Sequence, residues 1–277
     1  MNIHWKLKSS AFRVIDMYSL YSVLFLLQKY VTRRARVDIP DINKNWLVHR
    51  ENLSSLPRPL VIEFGAGKNL AQNIYLSDYT RGQFVVDIVN MLDIDLFNEA
   101  ARKIAHLKRG WFKPVHSLTD IRDLYNITYK APYDASRTDF DDNTFDACVS
   151  TNTLEHIPRE SLVQIFSELR RIIRPGGLIS AVIDYSDHYA HTDKSISRLN
   201  FLSFSDKEFS KYNHKVHYQN RLRHYDYEEM FAELGFELVR HEALNKVPLP
   251  TVIANMFRAG DPSLSYATGC FLLKVRK

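Results

Sequence analysis

Cysteine is scarce in this 277-residue chain, which contains only Cys148 and Cys270. Each lies inside an apolar run, with no CxxC spacing and no histidine at metal-ligand distance. A disulfide framework and a cysteine-based zinc site are therefore excluded. The pattern predicts two reduced thiols in the core of a cytoplasmic protein.

The sequence also lacks an apolar run long enough to cross a bilayer. Residues 20–27 are densely apolar, but Arg13 and Asp16 precede them closely, and the run is shorter than the roughly 20 residues that a membrane span needs. No signal-peptide cleavage site follows it. Residues 1–50 are predicted to be a basic helical extension with two open roles. It packs on the body or on a second subunit of a homodimer, or it lies on the inner membrane face, where the basic stretch 33–36 meets anionic lipid.

Positive charge is not spread over the chain, although the formal net charge is +5. Residues 1–50 hold nine Lys and Arg against three Asp and Glu, and the remaining 227 residues hold 28 against 29. The body is therefore nearly neutral. A basic nucleic-acid-binding face is not supported, so we expect no nucleic acid partner.

After residue 50 the sequence alternates between strand and helix patterns. PLVIEF is typical of a buried strand and DLFNEAARKIAHL of a helix with one apolar face, whereas HSLTDIRDLYN is less regular. The strands FELVRHEA and GCFLLKV have no helix between them, so the last one is predicted to be antiparallel. The pattern predicts one α/β domain over residues 51–277, with a Rossmann-like, doubly wound sheet of seven mostly parallel strands.

The stretch VIEFGAGKN, residues 61–69, places an acid and two glycines between a strand and a helix. Such loops hold phosphates, dinucleotides or sulfonium nucleosides. A P-loop is excluded because Lys68 lacks the GxxxxGK[ST] spacing, and a dinucleotide loop is disfavoured because Leu70 replaces its third glycine. Glu63 would repel a pyrophosphate but suits a ligand that carries an ammonium and a sulfonium. The loop therefore favours S-adenosylmethionine.

Further motifs follow this loop in a recognisable order over residues 59–184. They are VIEFGAGKN, VVDIV, YDASRTDFDDNTFDACVSTNTLEHIP and LRRIIRPGGLI. Together they resemble the class I S-adenosylmethionine-dependent methyltransferases, and closely the type 11 methyltransferase domain. The resemblance implies that the protein is a methyltransferase with S-adenosylmethionine as its cofactor.

The residues that would hold this cofactor come directly after the strands. The resemblance implies Glu63, Gly65 and Gly67 at the methionine moiety, Asp87 at the ribose hydroxyls, Asp134 and Ala135 at the adenine, and Thr151 and Asn152 near the sulfonium. The two glycines are expected because a side chain would collide with the cofactor. Asp93 and Asp95 stay open as replacements for Asp87. Asn69 departs from relatives that carry a third glycine there, which affects the shape of the loop.

The stretch after the fifth strand, DYSDHYAHTDKSISRLNF, is unusually rich in titratable and aromatic side chains. It resembles methyltransferases of bacterial surface-polysaccharide and glycan assembly. The resemblance implies O-methylation of a sugar hydroxyl on a saccharide or lipid-linked saccharide, with His188 or His191 as the base and Asp184 orienting it. A small lipid-soluble or natural-product acceptor, or a catalytically silent scaffold, stays open as an alternative. No metal site is expected.

A second polar cluster, KVHYQNRLRHYDY, precedes the last helix pattern. Its Asn, Gln and Arg side chains suit a polyhydroxylated or carboxylated ligand. We expect them to contribute to the binding of the acceptor.

Overall fold

The computed structural model describes residues 3–20 and 37–277, and a seven-stranded sheet forms its centre. The strands are β1 (Leu60–Phe64), β2 (Gly82–Val86), β3 (Ile127–Lys130), β4 (Phe145–Thr151), β5 (Ile173–Asp184), β6 (Phe236–Lys246) and β7 (Tyr266–Val275). Their order across the sheet is β3-β2-β1-β4-β5-β7-β6. Strands β1 to β5 pair in parallel, and β7 is antiparallel to both β5 and β6. The predicted α/β architecture with an antiparallel last strand is confirmed.

Helices cover both faces of the sheet. They are α1 (Trp5–Met17), α2 (Lys44–Asn52), α3 (Ala71–Leu76), α4 (Ile94–Leu107), α5 (Leu118–Tyr125), α6 (Arg159–Ile172), α7 (Asp206–Phe209) and α8 (His224–Glu233). Successive strand side chains point to opposite faces, so Ile62 joins the core under α6 and α8 while Val61 joins the core under α4. Both cores are buried, as the continuous apolar strands predict.

The stretch HSLTDIRDLYN, which looks irregular in the sequence, contains helix α5. The helix is only eight residues long, and Ile121 is its only fully buried residue. The helix begins with a capping box in which Ser117 Oγ accepts from the Asp120 amide and the Asp120 side chain accepts from the Ser117 amide. That S-x-x-D pattern is the signal that could have predicted the helix.

The N-terminal helix α1 packs on the loops that follow β5. Trp5 is buried, and its ring lies 4.7 Å from Tyr212, 5.7 Å from Tyr189 and 5.8 Å from Phe204, measured between ring centroids. Of the two alternatives for the N-terminal extension, packing on the body is therefore observed for α1. The apolar run from residue 21 onward and the basic stretch 33–36 lie outside the described residues. Within the described part of the chain, no helix is both long enough and apolar enough to span a membrane.

Candidate functional site

The C-terminal ends of β1, β2 and β4 bring the predicted cofactor residues to one edge of the sheet. Glu63 pairs in register with Val85 and Val149, so the loops that leave these parallel strands are neighbours. Gly65 and Gly67 have φ values of 74° and 77°, which side chains rarely adopt. The glycine loop is thus a tight left-handed turn at this edge.

The two glycines of the loop have different surroundings. A Cβ at Gly65 would lie 2.4 Å from Thr153 Cγ2, whereas a Cβ at Gly67 would meet nothing within 4 Å. The Thr153 hydroxyl also donates to the Gly65 carbonyl over 3.1 Å. A side chain at position 65 would therefore clash with Thr153. At position 67 the positive φ would strain any residue other than glycine.

Glu63 is buried at the end of β1 and is fully hydrogen-bonded. Gln72 Nε2 donates to Oε1 over 2.9 Å, and Asn73 Nδ2 donates to Oε2 over 2.7 Å. Burial raises the pKa of Glu63 to about 8, although the two amide donors oppose the rise. The carboxyl group is therefore largely protonated at neutral pH in this state, and a cation nearby would favour its ionisation.

A chain of hydrogen bonds joins Glu63 to residues far away in the sequence. The Thr151 hydroxyl donates to Gln72 Oε1 over 2.7 Å, and His49 Nε2 lies 2.6 Å from the same hydroxyl. The other ring nitrogen of His49 lies 2.7 Å from Ser180 Oγ. Burial lowers the pKa of His49 to about 3, so the ring is neutral and uses both nitrogens structurally. The contact of His49 with Thr151 was not predictable from the sequence, because no local pattern connects helix α2 to β4.

Asp87 lies at the mouth of a cleft of about 480 Å³, with Asp134 and Ala135 on the same wall. Asp87 is 4% exposed, and its Oδ2 has no hydrogen-bond partner among the described residues. Burial raises the pKa of Asp87 to about 6, and interactions with Tyr129 and the amides of Gly65 and Ala66 limit the rise. A buried, unpartnered carboxylate oxygen beside an open cleft fits a ligand with hydroxyl groups, such as a ribose.

The residues proposed as replacements for Asp87 have another role or position. Asp93 is the N-cap of α4, where its Oδ1 accepts from the amides of Asp95 and Leu96 at 3.0 and 3.1 Å. Asp95 is exposed in the first turn of that helix. The geometry thus favours Asp87 over both alternatives.

A second cavity of about 220 Å³ lies on the other side of the glycine loop. Glu63, Gly65 and Thr151 line it, and Gly65 also lines the cleft of Asp87. Glu63 and Thr151 on one side, and Asp87, Asp134 and Ala135 on the other, therefore line two cavities that share Gly65, whereas Gly67 lines neither. Asn152 shapes the adjoining turn, with a φ of 51° and an amide that donates to the Val182 carbonyl over 2.8 Å.

Beyond β5, the structure brings the three predicted catalytic residues together. Asp184 Oδ2 lies 3.4 Å from His188 Nε2 and 3.6 Å from His191 Nε2, and the two rings stack with centroids 4.8 Å apart. Burial alone would raise the pKa of Asp184, but His188 and Ser186 lower it to about 2. Asp184 is therefore a carboxylate at neutral pH.

His156 connects this cluster to the cleft. It lines the cleft that also holds Asp87, and its ring lies 4.9 Å from the His188 ring. On the other side, His217 lies 5.9 Å from His188, between ring centroids, and 3.4 Å from Lys8 Nζ of helix α1. Burial and the Lys8 charge lower the pKa of His217 to about 2, so this histidine is a poor base. Lys8 could not have been placed here from sequence.

The two arginines of the second polar cluster turn inward, so they do not contribute to acceptor binding as expected. Arg223 is completely buried and donates to the carbonyls of Tyr185, Leu264 and Tyr266. Arg221 likewise donates to two carbonyls and to Asp206. These arginines connect loop backbones, since a buried guanidinium must satisfy its donors.

Comparisons with known proteins support the fold. Residues 119–181 match the family model described as a methyltransferase domain. No curated protein matches the chain significantly. The Burkholderia thailandensis 1,6-didemethyltoxoflavin-N1-methyltransferase, solved with bound 1,6-didemethyltoxoflavin and S-adenosylhomocysteine, is 14% identical, with a TM-score of 0.54 over 94% of this chain and 90% of that chain.

Two further solved structures are less similar. The N-methyltransferase NodS from Bradyrhizobium japonicum is 12% identical, with a TM-score of 0.44 over 84% of this chain and 95% of that chain. The CurJ carbon methyltransferase is 16% identical, with a TM-score of 0.48 over 84% of this chain. This chain spans 54%, about half, of the CurJ chain.

Proposed function

We propose that this chain is a class I S-adenosylmethionine-dependent methyltransferase and that it methylates a hydroxyl group of a saccharide or lipid-linked saccharide. The observation that supports a hydroxyl acceptor is the pairing of Asp184 with two stacked histidines, next to His156, which lines the cleft. A hydroxyl acceptor needs a group that removes its proton, whereas an amine acceptor can react as a free base.

The cofactor would lie across the glycine loop, between the two cavities that Gly65 lines. Glu63 would face its ammonium group, Asp87 its ribose, and Asp134 and Ala135 its adenine. When bound, S-adenosylmethionine supplies an activated methyl group, so the protein must align the acceptor oxygen and take up its proton.

His191 is the better placed of the two histidines to take up that proton. Its side chain is 51% exposed, whereas that of His188 is 12% exposed. Burial and the neighbouring His188 lower the pKa of His191, so its neutral ring is available at neutral pH. The carboxylate of Asp184 would stabilise the imidazolium that forms, which is the role of an orienting acid.

The test is transfer of labelled methyl from the cofactor to saccharides, lipid-linked saccharides, lipophilic small molecules and proteins. We expect label on saccharides, with transfer lowered strongly in Asp184→Asn. Label on a lipophilic molecule alone would favour the alternative acceptor class. Absence of both transfer and cofactor binding would favour a silent scaffold and contradict the proposal.

A further inference from the structure

Side chains with metal-ligand atoms surround His188, where the chain leaves β4 and β5. Glu155, His156 and His188 each offer one ligand atom, and these atoms all lie within 4.8 Å of one another. The same holds for Asp184, His188 and His191, so the two groups share His188. Ligand atoms about 2 Å from one ion lie about 3 to 4 Å apart, so small side-chain shifts would let the first group bind a single ion.

Glu155 is the residue of this cluster that methyl transfer does not require. It is 3% exposed, and neither of its carboxylate oxygens has a hydrogen-bond partner among the residues that the structure describes. Buried carboxylates in proteins are usually paired or coordinate metals, so this one points to a cationic ligand.

The two histidines present ring nitrogens that are suited to a metal. His156 Nδ1 lies 2.8 Å from the Tyr218 carbonyl, which can only accept, so Nδ1 carries the proton and Nε2 keeps its lone pair. Metal-binding histidines commonly donate their other N–H to a carbonyl in this way. Nε2 of His188 is buried and lies 3.4 Å from Asp184 Oδ2, which places that carboxylate beside the proposed ligand atom.

We propose that Glu155, His156 and His188 bind a divalent transition-metal ion such as Zn²⁺, with Asp184 beside them as a further carboxylate. Two imidazoles and one carboxylate are a ligand set that Zn²⁺ accepts while keeping a position open for another oxygen. This proposal replaces the expectation, from the sequence, that the protein holds no metal.

A comparable cluster elsewhere in the chain lacks the features that point to a metal. His224, Glu228 and His241 also lie within ligand distance of one another. There, Glu228 Oε1 is 2.6 Å from His241 Nδ1, and His224 Nδ1 is 3.2 Å from the Tyr185 hydroxyl. Their polar atoms satisfy one another without an ion. This second cluster therefore provides a matched control.

The position of the ion would give it a role in the reaction, and this step rests on the proposed function. His156 also lines the cleft, so an acceptor hydroxyl beside the cofactor could occupy the open position. Coordination would lower the pKa of that hydroxyl, and the proton would pass to the imidazole of His191. His188 would then serve as a ligand, which leaves His191 as the base.

The test titrates the chelator-treated, full-length protein with Zn²⁺ and, for its visible spectrum, with Co²⁺. We expect one ion per chain. Glu155→Gln and His188→Ala should weaken Zn²⁺ binding at least about 100-fold, because loss of groups that merely support a ligand already costs about 10- to 100-fold. The control His241→Ala should bind Zn²⁺ like the wild type.

Thermal unfolding distinguishes a variant that has lost its metal ligand from a variant that is misfolded. Glu155 accepts no hydrogen bond, so metal-free Glu155→Gln should unfold at or above the Tm of the metal-free wild type. Added Zn²⁺ should raise the Tm of the wild type and of His241→Ala but leave that of Glu155→Gln unchanged. Equal Zn²⁺ affinity in Glu155→Gln and wild type, or no binding by the wild type, would overturn the proposal.

These measurements need neither cofactor nor acceptor, so they can fail independently of methyl transfer. A protein that binds Zn²⁺ as described but labels no saccharide would support the metal site and contradict the acceptor. A protein that labels saccharides but binds no Zn²⁺ would do the reverse.

Discussion

Binding of S-adenosylmethionine at neutral pH should release a proton from Glu63. The carboxyl group has a pKa of about 8 because it is buried, and Gln72 and Asn73 already occupy both of its oxygens. If the cofactor ammonium approaches Glu63, as we propose, the charge favours the carboxylate and lowers this pKa. The proton must then leave the protein when the cofactor binds.

The size of the effect follows from the pKa. A group with a pKa of about 8 is about nine-tenths protonated at pH 7, so binding should release about 0.9 proton from Glu63. Asp87, with a pKa of about 6, would add about 0.1. Cofactor affinity should therefore rise by nearly tenfold per pH unit between about pH 6 and pH 8, and level off above about pH 8.

The raised pKa of Glu63 also affects the stability of the cofactor-free protein. This stability falls as pH rises, whereas cofactor affinity increases. The folded-state pKa of about 8 lies above the ordinary value of 4.5, so folding favours the protonated form. This contribution is fully present below pH 4.5 and is lost as pH rises through about 8. At about 1.4 kcal/mol per pKa unit, the loss amounts to about 5 kcal/mol, which should be absent in Glu63→Gln.

Calorimetry in buffers of different ionisation enthalpy measures the released protons directly. We expect a slope near one proton at pH 7 and near zero at pH 9 for the wild type. Glu51→Gln, a change at an exposed carboxylate, is the control and should leave the slope unchanged. A wild-type slope near zero at pH 7, or an unchanged slope in Glu63→Gln, would refute the assignment of Glu63 to the ammonium.

Three further results are expected. Asp87→Asn should raise the cofactor Kd by about 10- to 100-fold in calorimetry without loss of stability, because the hydrogen bonds to a charged acceptor contribute about 1.5–3 kcal/mol. His191→Ala should lower kcat by about 10²- to 10⁴-fold in the labelled-methyl assay while cofactor affinity is kept, and full activity would remove it as the base. Trp5→Ala should cost about 3–5 kcal/mol in urea unfolding because Trp5 is buried, whereas exposed Leu7→Ala should change stability by less than about 0.5 kcal/mol.

The central strands β1, β4 and β5 were predictable from the sequence because they are buried on both faces and contain continuous apolar runs, whereas the edge strand β6 is mostly exposed. The final strand pair was predictable because no helix pattern separates FELVRHEA from GCFLLKV. Helix α5 was not, since it is only eight residues long and buries only Ile121, and its capping box is a short signal. Burial thus explains both the success and the failure.

The cofactor side of the site was accessible to sequence reasoning because it depends on strand ends. Residues after β1, β2 and β4 must meet at one edge, so Glu63, Asp87 and Thr151 could be expected near one another. Their roles in cofactor binding stay predictions. The inward turn of Arg223 was not predictable, because a charged residue in a polar stretch is usually exposed. Only the fold supplies the three carbonyls to which its terminal nitrogens donate, and its Nε has no partner among the described residues.

Composition alone does not show whether the basic N-terminal extension forms a unit separate from the body after residue 50. The boundary itself stays a prediction. Its two sides nevertheless share polar contacts, because buried His49 bonds to Thr151 and Ser180, and Lys8 lies beside His217. Charge counts separate a basic segment from a neutral body, but His49 is neutral there and hydrogen bonding, not net charge, fixes it in place. Residues before position 50 are therefore part of the environment that shapes both the Glu63 network and the histidine cluster.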